Sequence, residues 1–310
     1  MTDTPEKELP DKAQSRCGFV VLIGAPNAGK STLTNRMVGT KVSIVTHKVQ
    51  TTRVRIRGVA AVDGCQLVLV DTPGIFTPKR RLDIAMVETA WSEARGADLV
   101  VVLIDALKGF NKESKHILAE ASTIELPLVL ALNKVDAVKK EQLLALAAAA
   151  AEACAFDEVF MISALNGEGV DDLKAHLAAA VPAGPWLYPE DQIGDSPLRQ
   201  WAAEITREKL TLRLHQELPY ASTVETTTWK ELKDASLRIE QTIYVERDSQ
   251  KKIVLGSGGG TIKGISMDAR KELSETLEVP VHLFLFVKVR QRWGDDPERY
   301  REMGLDYPKG

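Results

Sequence analysis

Gly24-Ala25-Pro26-Asn27-Ala28-Gly29-Lys30-Ser31, followed by Thr32, decides how the first half of this 310-residue chain is read. It matches G-x-x-x-x-G-K-[ST], a spacing with a mechanism behind it. Gly24 and Gly29 let backbone N–H groups curl around phosphate oxygens, and a helix starting at Lys30 adds a partial positive charge there. Lys30 is long enough to reach β- and γ-phosphates, and the Ser31 hydroxyl is a ligand for Mg²⁺. A strand before the loop and a helix after it separate such a motif from a chance glycine turn. The β-branched run 19–23 and the helical spacing of 30–38 supply both. Alone, the loop says nucleoside triphosphate and leaves the base open.

Outward from this loop, short apolar runs end in polar residues. Residues 66–70 end at Asp71, 99–104 at Asp105, 128–132 at Asn133 and 159–162 at Ser163. Helical stretches lie between them at 83–95, 112–121 and 139–154. The alternation predicts an α/β domain with a doubly wound, mainly parallel sheet. Ligands of such sheets sit outside the carboxyl ends of the strands, where the polar motifs fall.

Asp71-Thr72-Pro73-Gly74 follows one of these strands. An Asp here can hold Mg²⁺ through water, and Gly74 can offer its N–H to a γ-phosphate. Asn133-Lys134-Val135-Asp136 reads the base. The Asp136 carboxylate can accept two hydrogen bonds from guanine that adenine cannot supply, a basis for strong discrimination. Asn133 buttresses the loop, the Lys134 stem lies over the ring, and Ser163-Ala164-Leu165 offers a backbone N–H to the guanine oxygen. Four motifs in this order point to a guanine nucleotide.

These motifs resemble the TrmE-Era-EngA-YihA-Septin-like GTPases, and the chain as a whole resembles the Era-type ribosome-assembly GTPases. The resemblance implies GTP hydrolysis with Lys30, Thr52 and Gly74 in catalysis, and Ser31, Thr52 and Asp71 around Mg²⁺. It maps the γ-phosphate-sensing threonine of an effector loop within 41–53 onto Thr52, with Thr51 as the neighbouring alternative. After Gly74 the chain has Ile75, where Ras-like enzymes carry a water-orienting Gln. An aliphatic side chain cannot orient water, so the missing part comes from elsewhere or intrinsic hydrolysis is slow. In related GTPases the residue at Asn27 helps bind K⁺, a second expected ion beside Mg²⁺; a turn residue is the plain alternative there.

Composition bounds the rest. Length favours two domains, no apolar run approaches the span of a bilayer, and the alanine-rich 145–155 is broken by Glu152. Cys17, Cys65 and Cys154 are odd in number and widely spaced, arguing against a disulfide framework or zinc site and for reducing cytoplasm. Residues 1–16 are polar and mixed in charge, expected as a flexible tail rather than a signal sequence. The nucleotide domain is expected over 17–182 and a Pro/Gly/Asp-rich linker over 183–197.

The second half has its own pattern. Residues 196–293 carry 16 Lys/Arg against 13 Asp/Glu, whereas the remaining residues sum to −6. Leu237–Val245 alternates as a strand, Lys251-Lys252-Ile253-Val254-Leu255 reads as a basic strand, and Gly256-Ser257-Gly258-Gly259 opens a helix over 261–277. Val281–Val289 reads as a closing strand. A G-x-x-G loop leading into a helix can clamp about four nucleotides of RNA backbone. Residues 201–219, with Glu204, Arg207, Glu208, Lys209, Glu217, Leu218 and Pro219, resemble the opening helix of the family's KH domain. A smaller α+β KH domain of type II is therefore expected over 198–293. Its RNA-binding residues would be Lys251, Lys252, Gly256, Ser257, Gly258, Gly259 and Lys263, with Arg290 and Arg292 from the family's pattern. Ser257 stands where the family usually has a basic residue, which weakens the electrostatic grip of the loop. Residues 294–310 are expected as a solvated tail.

The resemblance implies GTP and GDP as ligands, with the 3′ end of 16S ribosomal RNA and the 30S subunit as partners, in a monomeric cytoplasmic switch. Peripheral contact with the inner membrane belongs to the family as a class, and no basic amphipathic helix demands it here. The alternative is a GTPase whose second domain docks to a protein or membrane. A tRNA-modifying enzyme is disfavoured, because no large further domain or catalytic cysteine context accompanies the motifs.

Overall fold

The computed structural model describes residues 15–48, 51–195, 197–214 and 218–308. Gln50, Ser196, Glu217 and most of the expected N-terminal tail lie outside the described residues. The chain divides into two compact units. The first takes Met1–Ser43, Arg55–Thr77 and Glu88–Asp195; the second takes Ile44–Val54, Pro78–Val87 and Ser196–Gly310.

In chain order the first half forms β1 (Arg16–Gly24), α1 (Lys30–Val38), β2 (Ile56–Val62), β3 (Cys65–Asp71), α2 (Arg81–Arg95), β4 (Leu99–Asp105), α3 (Lys112–Ala121), β5 (Leu128–Asn133), α4 (Lys140–Ala153), β6 (Glu158–Ile162) and α5 (Val170–Ala180). The strands make one sheet in the order β2-β3-β1-β4-β5-β6. All neighbours are parallel except β2, which pairs antiparallel with β3. β3, β4 and β5 are buried along their whole length, as strands covered on both faces must be. On one face Val20, Leu22, Leu69, Val101 and Val129 pack with Leu33 and Met37 of α1 and Leu173 and Leu177 of α5. Strand order reverses at β1, which lies between β3 and β4, so the loop after β1 opens at the crevice where such sheets bind ligands.

The second unit contains α6 (Leu198–Arg213), β7 (Ser222–Glu231), β8 (Leu237–Val245), α7 (Asp248–Leu255), α8 (Gly260–Leu277), β9 (Val281–Val289) and α9 (Pro297–Glu302). Its sheet runs β7-β8-β9, the first pair antiparallel and the second parallel. Ala202, Ile205, Ala269 and Leu273 from α6 and α8 meet Ile239, Val281 and Leu283 of the sheet in one core cluster.

Four expectations change. The stretch 251–255 is the end of helix α7, not a strand: Gln250 Oε1 accepts from the N–H groups of Glu246 and Arg247 and fixes the helix start. Within that stretch Val254 is buried while Ile253 is exposed, a helical rather than a strand burial pattern. The expected linker is fastened over much of its length to the first sheet. Leu187 and Tyr188 N–H groups donate to Gln66 Oε1, Trp186 Nε1 donates to Gly64 O, and Val59 N donates to Ile193 O. At the N-terminal end, Arg16 already belongs to β1, and Ser15 exchanges hydrogen bonds with Gly184. The expected solvated tail contains α9, with Tyr300 and Leu305 buried.

Candidate nucleotide and RNA sites

The loop from Gly24 to Ser31 takes its shape from close packing. Gly29 has φ 105°, and a Cβ there would collide with Asn133 Nδ2. A Cβ on Gly74 would meet Pro26 Cα at 2.9 Å, which draws the segment after β3 against the loop. Ile75 N donates to Gly24 O (3.0 Å) and closes the same contact. The Ile75 side chain is itself buried, so an aliphatic residue suits the position and a water-orienting Gln would not.

Lys30 is buried, and its ammonium donates to Gly24 O (3.1 Å) and Ala25 O (3.2 Å). Burial pushes its pKa down to about 8, against the opposing pull of Asp71. Ser31 Oγ donates to Asp71 Oδ2 (2.6 Å), and so does Ser43 Oγ (2.6 Å). A hydroxyl from the loop and a carboxylate from the end of β3 thus converge, a hard-oxygen set suited to Mg²⁺. Ser43 was not singled out from sequence, where no spacing marks it. Thr32 follows in the first turn of α1, and Asn27 has φ 64°.

The base-reading motif is built around Asn133. This buried side chain donates from Nδ2 to Ala28 O (2.7 Å) and accepts at Oδ1 from Ala164 N (2.9 Å). One amide therefore ties three of the sequence motifs together, from the loop after β1 to the end of β6. Lys134, at φ 70°, pairs with Asp105 Oδ2 at 2.6 Å. The sequence places Asp105 at the end of β4 without revealing this role. Asp136 is exposed in the following turn (Val135–Ala137), and Leu165 is exposed two residues after the buried Ser163. Arg36, also missed, donates to the carbonyls of Ala164 and Leu165.

Thr52 is buried in the segment Ile44–Val54, which groups with the second unit. That segment is bonded to α6 and the residues after it. Val45 N donates to Glu208 Oε1 (2.9 Å), Lys48 Nζ donates to Thr211 O (2.6 Å), and Arg207 donates to Thr51 O. Arg53 donates to Ser222 O and Pro219 O, each at 2.7 Å. Burial pushes the Arg53 guanidinium down to about 9, with the Arg207 charge adding to the effect.

The second glycine loop sits between α7 and α8. Gly256, Gly258 and Gly259 all have positive φ, at 75°, 57° and 80°. Ser257, Gly258, Lys252 and Lys263 are exposed, and Lys251 and Gly259 half-buried. Arg290 and Arg292 are paired with Asp296 and Asp295, so the acidic pair in the tail offsets their charge.

A family model described as 50S ribosome-binding GTPase matches residues 19–134, and a KH domain model matches residues 217–294. GTPase Era of Bradyrhizobium diazoefficiens is 63% identical over 309 residues, covering 100% of both chains. The chain belongs to the GTPase Era family. GTPase Era of Brucella suis is 65% identical over 298 residues, covering 96% of each chain. Among solved structures, Era in complex with MgGDPNP and nucleotides 1506–1542 of 16S ribosomal RNA superposes with TM-score 0.89 at 36% identity, over 94% of this chain and 99% of that one. Aquifex aeolicus Era bound to GDP·AlF4⁻ gives the same TM-score, 0.89, and identity, 36%, over 93% of this chain and 99% of that one. As a family member the chain is a GTPase with a P-loop domain followed by a KH domain. Among the described residues, no helix is long and apolar enough to cross a membrane.

Proposed function

We propose that the chain binds and hydrolyses GTP in a domain over 17–182, binds the 3′ end of 16S rRNA through a KH domain over 198–293, and acts as a nucleotide-controlled switch in 30S subunit assembly. The residues from Gly24 to Thr32 cradle the phosphates, and Asn133, Lys134, Asp136 and 163–165 recognise guanine. Ser31, Asp71 and, in the GTP state, Thr52 would hold Mg²⁺, which supplies charge neutralisation for the transferred phosphoryl group. Asn27, in the phosphate loop, would help hold K⁺, which would supply positive charge beside the phosphates. Lys30 and the N–H of Gly74 stabilise charge that develops as water attacks the γ-phosphate, with no covalent intermediate.

The observation that carries the switch is the set of hydrogen bonds from Arg207 and Glu208 of α6 to the backbone around Thr52. The loop that carries Thr52, which would meet Mg²⁺ in the GTP state, is bonded to the first helix of the KH domain, so nucleotide state and RNA affinity are linked. Fluorescence binding of an rRNA 3′-end oligonucleotide in GTP-analogue, GDP and nucleotide-free states tests this. Affinity that depends on nucleotide and is lost on joint Gly258→Asp and Gly259→Asp substitution is expected. Equal affinity in all three states removes the switch, and no binding in any state removes the RNA assignment.

A further inference from the structure

The three-stranded sheet of the second unit has two faces, and α6, α7 and α8 pack on one of them. Alternation along β9 sends Val281, Leu283 and Val287 into the cores with α6 and α8. His282, Phe284, Phe286 and Lys288 fall on the opposite face, all exposed. Phe284 is 42% exposed and Phe286 48%. Burying a phenylalanine is worth about 1.5–3 kcal/mol, so two rings held in water on one face call for an occupant.

Their neighbours indicate its chemistry. In register, Arg238 stands beside His282 and Glu240 beside Phe284. The Arg238 guanidinium lies 4.6 Å from the Phe284 ring centroid and is also bonded to Glu240 Oε1. On β7, Lys230 stands opposite Arg238 and is exposed. At the far end of β8 the Tyr244 ring is covered by Arg299, 4.8 Å from its centroid, much as Arg238 lies over Phe284; the exposure that Phe284 and Phe286 keep is the open part of the face. Lys230, Arg238 and Lys288 thus surround the two rings, and the Glu240 carboxylate is already engaged by Arg238.

Residues two apart on a strand stand about 6.6–6.8 Å apart, a spacing over which an unstacked single strand can lay consecutive bases on consecutive rings. Stacking of this kind tolerates any base, and the phosphates need cations nearby. We infer that this outer sheet face is a second single-stranded RNA surface, with Phe284 and Phe286 stacking successive bases and Lys230 and Lys288 meeting phosphates. The inference rests on the RNA-binding reading of this domain. β9 is common to both surfaces, since its other face packs against α7 and α8, the helices flanking the glycine loop. The surplus of cations over free carboxylate favours a polyanion over a protein partner.

The test uses the full chain and a labelled oligouridylate, a sequence-neutral probe, with the Gly258→Asp/Gly259→Asp protein as the background in which the glycine loop is disabled. Oligouridylate binding should survive in that background and weaken about tenfold or more for each ring removed by Phe284→Ala and Phe286→Ala. Phe→Trp at both positions should restore it, whereas Phe→Leu should not. Unchanged affinity in the double Ala protein overturns the proposal. So does full binding by the Leu pair, which would mark a simple apolar contact. Concentration-dependent self-association abolished by the Ala pair, with RNA affinity unchanged, would assign the face to a second copy of this chain. If the rRNA oligonucleotide binds wild type but oligouridylate does not, this surface fails and the glycine-loop reading stands. If neither RNA binds, both fail.

Discussion

Both halves of the chain place a glycine-rich loop ahead of a helix, and the glycines are there for different reasons. In the loop after β1, Gly29 is wedged against Asn133, and a Cβ on Gly24 would meet the carbonyl oxygen of Leu103. The shape of that loop is imposed by its surroundings before any phosphate arrives. In the loop after α7 only the first glycine is so held: a Cβ on Gly256 would meet Thr261 N at 2.7 Å. Around Gly258, Gly259 and Gly260 a Cβ would meet nothing within 4 Å. Gly258 and Gly259 supply left-handed backbone, and all three leave room for a ligand's backbone to approach, with no described protein atom packed against them. A preformed cradle suits a small ligand of fixed geometry, and an open loop suits a polymer that brings its own.

The contrast can be broken most sharply at Gly29. Gly29→Ala adds a clash to a left-handed backbone and disturbs the Asn133 amide that ties Ala28 to Ala164. Nucleotide affinity should fall by about a hundredfold or more, and stability by roughly 3 kcal/mol. Titration with fluorescent GDP and urea melts check this; affinity within a factor of about three of wild type would show that the cradle is not packed as described.

Gly258→Ala and Gly259→Ala should each cost only about 1–2 kcal/mol, the price of left-handed backbone for an L-residue. Nucleotide affinity should not change. Gly256→Ala should cost visibly more in the same urea melts, and equal losses at all three positions would erase the distinction within the loop.

The smallest effect concerns Lys30, whose ammonium is depressed to about 8 by burial. A phosphate beside it would favour the charged form and raise that value, so nucleotide binding takes up a proton as pH rises past 8. Affinity for GDP is then highest below pH 8 and falls by about fourfold between pH 7 and 8.5. Isothermal titration in buffers of differing ionisation enthalpy measures the proton directly, and no uptake at pH 8.5 would mean that the bound phosphate does not reach Lys30.

The nucleotide site was largely legible because its motifs sit at strand ends, where chain direction alone brings them together. Helix α1 and strand β9 were read to the residue, each having unbroken spacing and a glycine or proline at its edge. β2 and β7 were missed. Arg57 and Gly58 interrupt the first, and the second is rich in threonine and charge, so neither shows a clear apolar alternation. The helix α7 reads as a strand because Ile253 and Val254 are β-branched, while the Gln250 cap that decides the matter is a local polar contact that a hydropathy pattern does not register. The roles of Ser43, Asp105 and Arg36 were hidden for a different reason: they come from partners far away in sequence.

The stretch 183–195 has a further consequence as the neighbour of β2. That strand ends the six-stranded sheet, and an uncovered end strand invites pairing with another molecule. Val59 N already donates to Ile193 O, and Gly58 bridges Gly194. A chain crowded among its own nascent copies therefore presents, on that side, a sheet margin whose backbone groups have begun to be spoken for, and the segment that leads to the KH half also covers an edge where copies could pair.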